Sequence, residues 1–308
     1  MPATTRFVMY TTLSATLAAC GATTTTTNIG GPCDASNKCD SGQICDRTNP
    51  GGQMCIDANG DIDGDGIPNG KDFCQHMAGG AFDEDGDGIG DDCDHCPIAP
   101  PPSQADSDGD AVDSPCDPDT RTPGDRILLF NGFNAAVANA GADWKFQNGE
   151  AVVTPAAPNM EEELKLPLAA ATNHMTIYAA YQIDSVATGA AQADAAVASA
   201  TAGLPMGESR VQCGGSRSPG SDAILLKSDS GGSSDQSTKP VTNVFNSANR
   251  YRLLQQLDGA TATCALAGDS DANSGAIQLA TDGNTPNQIS LYARGATVRF
   301  SYILVVGQ

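Results

Sequence analysis

No run of 18 or more apolar residues occurs in this 308-residue chain, so nothing in it reads as a helix that spans a bilayer. Histidine is scarce: His76, His95 and His174 are the only three. With so few histidines and no Gly-x-Ser-x-Gly motif, a Ser-His-Asp triad has no support. Lys and Arg number 16 against 37 Asp and Glu, a formal charge of -21 that is unevenly spread. Residues 57–119 hold 18 of the acids and one basic residue, Lys71. Such a segment repels nucleic acid and anionic head groups and attracts cations, which excludes nucleic acid as a partner. Aromatic residues are 5% of the chain. The one tryptophan, Trp144, is expected as a core plug, with a sugar-stacking platform as the alternative.

Cysteine, by contrast, is abundant. Eleven are many for a cytosolic protein of this size and leave one unpaired if the others form bridges. Residues 1–19 offer one positive charge, Arg6, then a short apolar stretch from Phe7 to Ala19, the layout of an export signal peptide. The stretch ends in Leu17-Ala18-Ala19-Cys20-Gly21, which resembles the lipobox of bacterial lipoproteins. The resemblance implies that Cys20 is acylated and becomes the mature N-terminus, which makes the membrane a partner through a lipid anchor; a plain cleaved signal is the alternative. Two or three acyl chains hold a protein on a bilayer stably, whereas one barely does. Gly21, where an aspartate would retain such a protein on the inner membrane, implies an outer-membrane lipoprotein, at the cell surface or on the periplasmic face.

Residues 20–32, rich in Thr and Gly, cannot bury a core and read as a flexible tether. Residues 33–56 carry Cys33, Cys39, Cys45 and Cys55 among Gly, Asn, Asp and Pro, too little apolar matter to fold without staples. Two disulfides are expected there, with three connectivities open.

The acidic block over 57–119 is periodic. Asp61, Asp63, Asp65, Gly66, Asn69 and Asp72 fall at positions 1, 3, 5, 6, 9 and 12 of a loop, and the backbone carbonyl of Ile67 can supply position 7. Ca²⁺ takes six to eight oxygens, and a glycine at position 6 permits the sharp turn such a loop needs. Asp83, Asp85, Asp87, Gly88, the Ile89 carbonyl, Asp91 and Asp94 repeat the same offsets. In a third copy Asp106, Asp108, Asp110, the Val112 carbonyl and Asp117 keep the frame, but Ala111 takes the glycine position and Ser114 the ninth. Alanine with positive φ costs about 1 kcal/mol, so the third site is expected to be weaker or distorted. Calcium is the expected cofactor.

An EF-hand uses a similar loop but needs flanking amphipathic helices and usually a glutamate at position 12; Gly, Pro and Cys surround these loops, and position 12 is aspartate. A solitary loop of the dockerin kind is separated from the remaining option by cysteine placement. Cys74, Cys93, Cys96 and Cys116 fall at positions 14, 11, 14 and 11 of successive loops. That spacing, with Asp83-Glu84-Asp85-Gly86-Asp87-Gly88-Ile89-Gly90-Asp91 and Cys93-Asp94-His95-Cys96-Pro97, resembles thrombospondin type 3 repeats. The resemblance covers about 60 residues and implies bridges between consecutive repeats, Cys74 with Cys93 and Cys96 with Cys116. A zinc site at Cys93-Asp94-His95-Cys96 is the weaker alternative in an oxidising compartment.

Pro118 to Pro123 marks a boundary, after which residues 125–308 change texture. Met175, Ile177, Ala179, Tyr181 and Ile183 alternate, as do Val298, Phe300, Tyr302, Leu304 and Val306, which predicts that each set lies on one face of a strand. Asn148-Gly149, Asp258-Gly259 and Arg294-Gly295 predict hairpin turns. The Ala-rich stretches 135–142 and 190–202 suit short helices or loops. The expected fold class is mostly β: a C-terminal antiparallel β-sandwich (jelly roll), preceded by irregular repeats stabilised by disulfides and calcium. The run from Arg250-Tyr251-Arg252-Leu253 to Leu257-Asp258-Gly259, then Ala262-Cys264-Leu266 and Ile289 to Val306, resembles the concanavalin A-like (laminin G-like) superfamily. Cys213 and Cys264 have no other partner in this region, so a bridge between them is expected.

Jelly rolls of that class include glycan-binding modules and glucanases. The glucanase pattern of alternating Glu, Asp and Glu on one strand is absent. Glu161, Glu162 and Glu163 are consecutive, which would point them to opposite faces of a strand, and a solvated loop is expected for them. No catalytic residue is assigned, and the chain is expected not to be an enzyme. The expected function is that of a calcium-binding cell-surface lipoprotein for adhesion or spacing, its repeats forming a calcium-dependent stalk, with a glycan or a surface protein as ligand. A carbohydrate-binding, lectin-like surface protein is the alternative, and a glycan hydrolase stands third for want of identifiable catalytic residues. Chelation of calcium is expected to expand the repeats and expose them to protease while the C-terminal domain stays compact; limited proteolysis and circular dichroism left unchanged by a chelator would count against the expectation.

Overall fold

The computed structural model describes residues 29–49, 51–100, 105–204, 207–219, 221–247, 249–268 and 274–308. The expected signal peptide, Cys20 and most of the tether lie outside them. Among the described residues no helix is long and apolar enough to cross a membrane.

The cysteine-rich segment folds as a small hairpin, β1 (Gln43–Asp46) against β2 (Met54–Asp57), and the open question of connectivity resolves as Cys33–Cys45 and Cys39–Cys55. Asp46, fully buried at the end of β1, meets His76 Nε2 at 2.6 Å and so ties the hairpin to the first repeat. Among the described residues between Asp57 and Asp119 the chain runs in turns, with one 3₁₀ turn at Asn69–Lys71. Disulfides join Cys74 to Cys93 and Cys96 to Cys116.

From Arg126 onwards the chain forms an antiparallel β-sandwich of jelly-roll type. Its strands are β3 (Arg126–Asn131), β4 (Trp144–Gln147), β5 (Glu150–Val153), β6 (Glu161–Pro167), β7 (His174–Val186), β8 (Ala193–Thr201) and β9 (Ser209–Ser218). They continue with β10 (Ser221–Ser230), β11 (Ser233–Val241), β12 (Arg250–Asp258), β13 (Thr261–Ala267), β14 (Gly275–Ala280), β15 (Gln288–Arg294) and β16 (Ala296–Gly307). One sheet of six runs β11-β10-β9-β8-β15-β6; the other, of eight, runs β14-β13-β12-β7-β16-β5-β4, with β3 also on β16. Met175, Ile177, Ala179, Tyr181 and Ile183 all face the space between the sheets, as strand alternation requires. Trp144 is buried there against Phe300, with ring centroids 6.1 Å apart. Cys213 on β9 bridges to Cys264 on β13, so this disulfide staples one sheet to the other through the core.

Five local expectations are corrected. Arg294-Gly295 is not a hairpin, because β15 belongs to the six-stranded sheet and β16 to the eight-stranded one. Gly295, at φ 56, makes the switch, and a Cβ there would come within 2.4 Å of the Gln192 carbonyl oxygen and 2.6 Å of that of Pro158. The turn predicted at Asp258-Gly259 sits one residue on, since Asp258 still pairs with Thr261 and the loop is Gly259-Ala260. Asn148-Gly149 does close a two-residue hairpin, with φ 54 and 72.

The alternation in β16 does not persist. A bulge between Phe300 and Tyr302 shifts the register by one residue, so Val298 and Phe300 face the core, then Ile303 and Val305. Leu304 and Val306 are left on the outer face, where they pack with Val112, Cys96 and Cys116. Within the stretch 190–202, Ala193–Thr201 is neither helix nor loop but the strand β8. Its small residues pass against Gly214, where an added Cβ would lie 2.2 Å from the Ala195 carbonyl oxygen. Tertiary contact thus overrides the helix preference of alanine. Glu161–Glu163 open strand β6 instead of lying in a loop, because Glu161 and Glu163 meet Arg294 and Arg210 in ion pairs.

Candidate metal centre

Each acidic loop is built by carboxylates that accept hydrogen bonds from their own backbone. Asp61 takes the N–H of Gly64 (2.8 Å) and Gly66 (3.0 Å); Asp83 takes those of Gly86 and Gly88 (both 2.8 Å); Asp106 takes those of Gly109 (2.7 Å) and Ala111 (3.0 Å). Bonds of this kind need the chain to fold back within six residues, which sets positive φ at the sixth position: 95° at Gly66, 88° at Gly88 and 73° at Ala111. Alanine is therefore held in the left-handed region that glycine adopts freely, at a cost of about 1 kcal/mol.

The fifth residue repeats as well. Asp65, Asp87 and Asp110 accept the N–H of Ile67, Ile89 and Val112 at 2.7, 2.6 and 3.0 Å, which fixes the seventh residue beside the cluster. At position 12, Asp72, Asp94 and Asp117 accept the N–H two residues on, from Cys74, Cys96 and Asp119, each at 2.7 Å. All three are buried, at 3%, 6% and 7% exposure.

The structure brings carboxylate oxygens of Asp61, Asp63 and Asp65 within 4.8 Å of one another, and likewise those of Asp83, Asp85 and Asp87 and of Asp106, Asp108 and Asp110. Several have no hydrogen-bond partner among the described residues although they are buried: Asp63 Oδ2 and Asp72 Oδ2 in the first loop, Asp85 Oδ2 and Asp87 Oδ2 in the second, and both oxygens of Asp108 with Asp117 Oδ2 in the third. A buried carboxylate oxygen without a partner demands a proton or a cation. The donor set is wholly oxygen and therefore fits a hard divalent ion; sulfur is not on offer, because the neighbouring cysteines are in disulfides.

Position 9 carries a structural task. Asn69 accepts the N–H of Ile62 (3.1 Å) and donates to the Asp57 carbonyl (2.8 Å), so its amide closes the loop. Asp91 closes the second loop with one oxygen, on the N–H of Glu84 at 2.8 Å. In the third, the Ser114 hydroxyl meets that of Ser107 at 2.8 Å. The shared task is to hold the residue at position 2, which an offset count alone does not separate from ligation.

Burial and neighbouring carboxylates push several of these acids up. Asp94 rises to about 7, through burial first and then the charges of Asp87 and Asp85. Asp85 and Asp117 rise to about 6, each by burial ahead of the adjacent aspartates, and Asp72 rises for the same reasons. Asp65 and Asp106 move down instead, because backbone N–H groups stabilise their charged forms. Two acids outside the expected ligand positions join the region. Glu84, driven to about 7 by burial and then by Asp91, lies beside Gly132 of the sandwich, and Asp125, 4% exposed, lies against the third loop.

The chain matches no family model and no curated protein. Among solved structures it is similar to the CBM2 module of the evolved Dit of Lactobacillus casei BL23 phage J-1, at 11% identity and TM-score 0.44, over 59% of this chain and 96% of that one. A Bacillus licheniformis β-glucanase gives 8% identity and TM-score 0.42, over 58% and 97%. The VIP36 exoplasmic/lumenal domain in its Ca²⁺/Man2-bound form gives 10% and 0.41, over 59% and 87%. These neighbours thus include carbohydrate-binding and glycan-related proteins.

A cation entering the second and third loops must displace the protons that the raised carboxylates hold. Because those values lie above the ordinary aspartate value, protonation competes as pH falls through about 7 and then 6, and the competition vanishes above that window. Calcium affinity is expected to weaken steadily from pH 7.5 to 5.5, with proton uptake by the buffer on binding; calorimetry in buffers of different ionisation enthalpy measures both, and an affinity flat across that range counts against the assignment.

Proposed function

We propose that this chain is a calcium-binding surface lipoprotein, exported and anchored through Cys20, that serves in adhesion or as a spacer. The observation that supports it most is the set of buried carboxylate oxygens without partners at the third and twelfth loop positions, on Asp63, Asp72, Asp85, Asp108 and Asp117. One hard cation per loop answers that charge, since Ca²⁺ takes six to eight oxygens in flexible geometry. Five disulfides belong to an oxidising compartment, in keeping with export. The contact of Val112 and the Cys96–Cys116 bridge with Leu304 and Val306 makes the repeats a brace under the sandwich at the end of the tether. The reading is non-catalytic: Glu163 faces Arg210 at 3.4 Å and Glu161 faces Arg294, so two of the three glutamates of β6 are engaged in ion pairs, and the third, Glu162, meets the carboxyl of Asp143. Calorimetric titration of the oxidised chain is expected to give dissociation constants on the order of 10⁻⁴ to 10⁻³ M. A trace that stays flat through millimolar calcium removes the proposal.

A glycan-binding role is the second reading, favoured by the outer face of the six-stranded sheet. There the Tyr292 ring is flanked by the guanidinium groups of Arg210, 5.0 Å from its centroid, and Arg294, at 6.0 Å. Arg210 Nε and Nη2 and Ser290 Oγ are buried beside it without hydrogen-bond partners among the described residues. The ring is 4% exposed beneath these guanidinium groups, so a hydroxyl-rich ligand would meet Arg210 and Arg294, not the ring face. On a glycan array, binding to one sugar class that falls about tenfold with Arg210→Ala supports this reading, and a blank array with and without calcium rejects it.

A further inference from the structure

We infer that Asp125, outside the twelve-residue frame, completes the third metal site and so ties the repeats to the sandwich through the ion. The inference rests on the calcium reading above and adds to it a ligand that the loop offsets do not supply. By its own sequence the third loop is the poorest of the three: Ala111 sits at φ 73, and the Ser114 hydroxyl is engaged with Ser107 and with the Ala105 carbonyl. It nonetheless gathers the most buried oxygens without hydrogen-bond partners among the described residues: both of Asp108, Oδ2 of Asp117 and Oδ2 of Asp125. Asp117 and Asp125 are 7% and 4% exposed and their carboxyl groups meet each other, a buried pair that requires a proton or a cation between them.

The first repeat shows what is special about the third. In the first, the N–H of Gly79 donates to Asp65 Oδ2 at 2.9 Å, fourteen residues beyond the fifth loop position. In the third, the N–H of Gly124 donates to Asp110 Oδ2 at 3.0 Å with the same offset, and that of Asp125 joins it at 2.7 Å. The residue that follows is Gly80 in the first repeat and Asp125 in the third, so the same chain path delivers an extra carboxylate only where the loop's own set is deficient. Asp125 immediately precedes β3, whose Arg126 pairs with Gly307 of β16. An ion held by the third loop together with Asp125 is thereby anchored on the loop at one side and on the eight-stranded sheet at the other. Asp119 and Asp125 also line a cavity of about 500 Å³ with Thr176 and Gln256 of the eight-stranded sheet.

The test uses the full oxidised chain and calcium alone, with two readouts. Trypsin cleaves after exposed Lys71 in the first loop and after exposed Arg121 and Arg126, which bracket Asp125. Calcium is expected to protect all three bonds in the unmodified chain. Asp125→Asn should abolish protection at Arg121 and Arg126 and weaken one calorimetric site about tenfold or more, leaving Lys71 protected; Asp63→Asn should do the reverse. Asp125→Glu, which keeps the charge, should restore protection at higher calcium. If Asp125→Asn protects Arg121 and Arg126 at the same calcium concentration as the unmodified chain, the inference is overturned while the calcium reading stands. The same holds if calcium protects Lys71 but not Arg121 and Arg126 in the unmodified chain, a comparison that needs no variant to fold. Absence of both heat and protection in the unmodified chain overturns the calcium reading itself.

Discussion

Closely set carboxylates are the constraint on which the first half of this molecule depends. Each loop uses backbone N–H groups to hold its aspartates: the first accepts from the fourth and sixth residues, the fifth from the seventh, and the twelfth from the fourteenth. Those bonds satisfy one set of oxygens and leave others gathered inside, where burial and mutual repulsion lift Asp94 and Asp85 far above ordinary aspartates. There is little apolar surface here to offset that repulsion, and the disulfides Cys74–Cys93 and Cys96–Cys116 constrain the chain without neutralising any charge. Counter-charge is what remains, and the proposed calcium sites follow from it.

The second constraint is the two-faced strand β16. Its first part faces one core only, whereas after the bulge both sides carry apolar residues, Ile303 and Val305 toward the sandwich interior and Leu304 and Val306 toward the repeats. An outer sheet face of this kind must be covered, and Val112 with the Cys96–Cys116 bridge covers it. The disulfide that links the second and third repeats is thus also part of a core shared with the sandwich. A repeat block that would otherwise be a loose acidic strap becomes a seat for the β-domain, which makes the chemistry of the third loop matter to both.

Legibility followed the range of the interactions involved. The strand β7 was plain in the sequence because Met175 to Ile183 alternate without interruption and meet one core. The Asn148-Gly149 turn was equally plain, since its left-handed residues are a property of four adjacent positions. In β8 the alanine content misled, because the reason for a strand there is the glycine pair Gly214-Gly215 on its neighbour β9, distant in sequence. At Asn69 the offset suggested a ligand, and only the positions of Ile62 and Asp57 show that its amide also closes the loop.

By itself the sequence determined the spacing of the acidic loops, the glycines at their sharp turns, the placement of their cysteines and the mostly β character of residues 125–308. These are local matters, settled by hydrogen bonds and periodicities that span a dozen residues or fewer. Tertiary structure alone decided that the chain changes sheets at Gly295, that the phase of β16 reverses after Phe300, that Asp125 joins the third loop, and that the repeats rest on the sandwich. Each of those depends on which segment beyond the local repeat supplies the opposing surface or charge, from fifteen residues away for Asp125 to more than a hundred for the sheet switch and the seat on the sandwich, and no local pattern encodes that neighbour's identity.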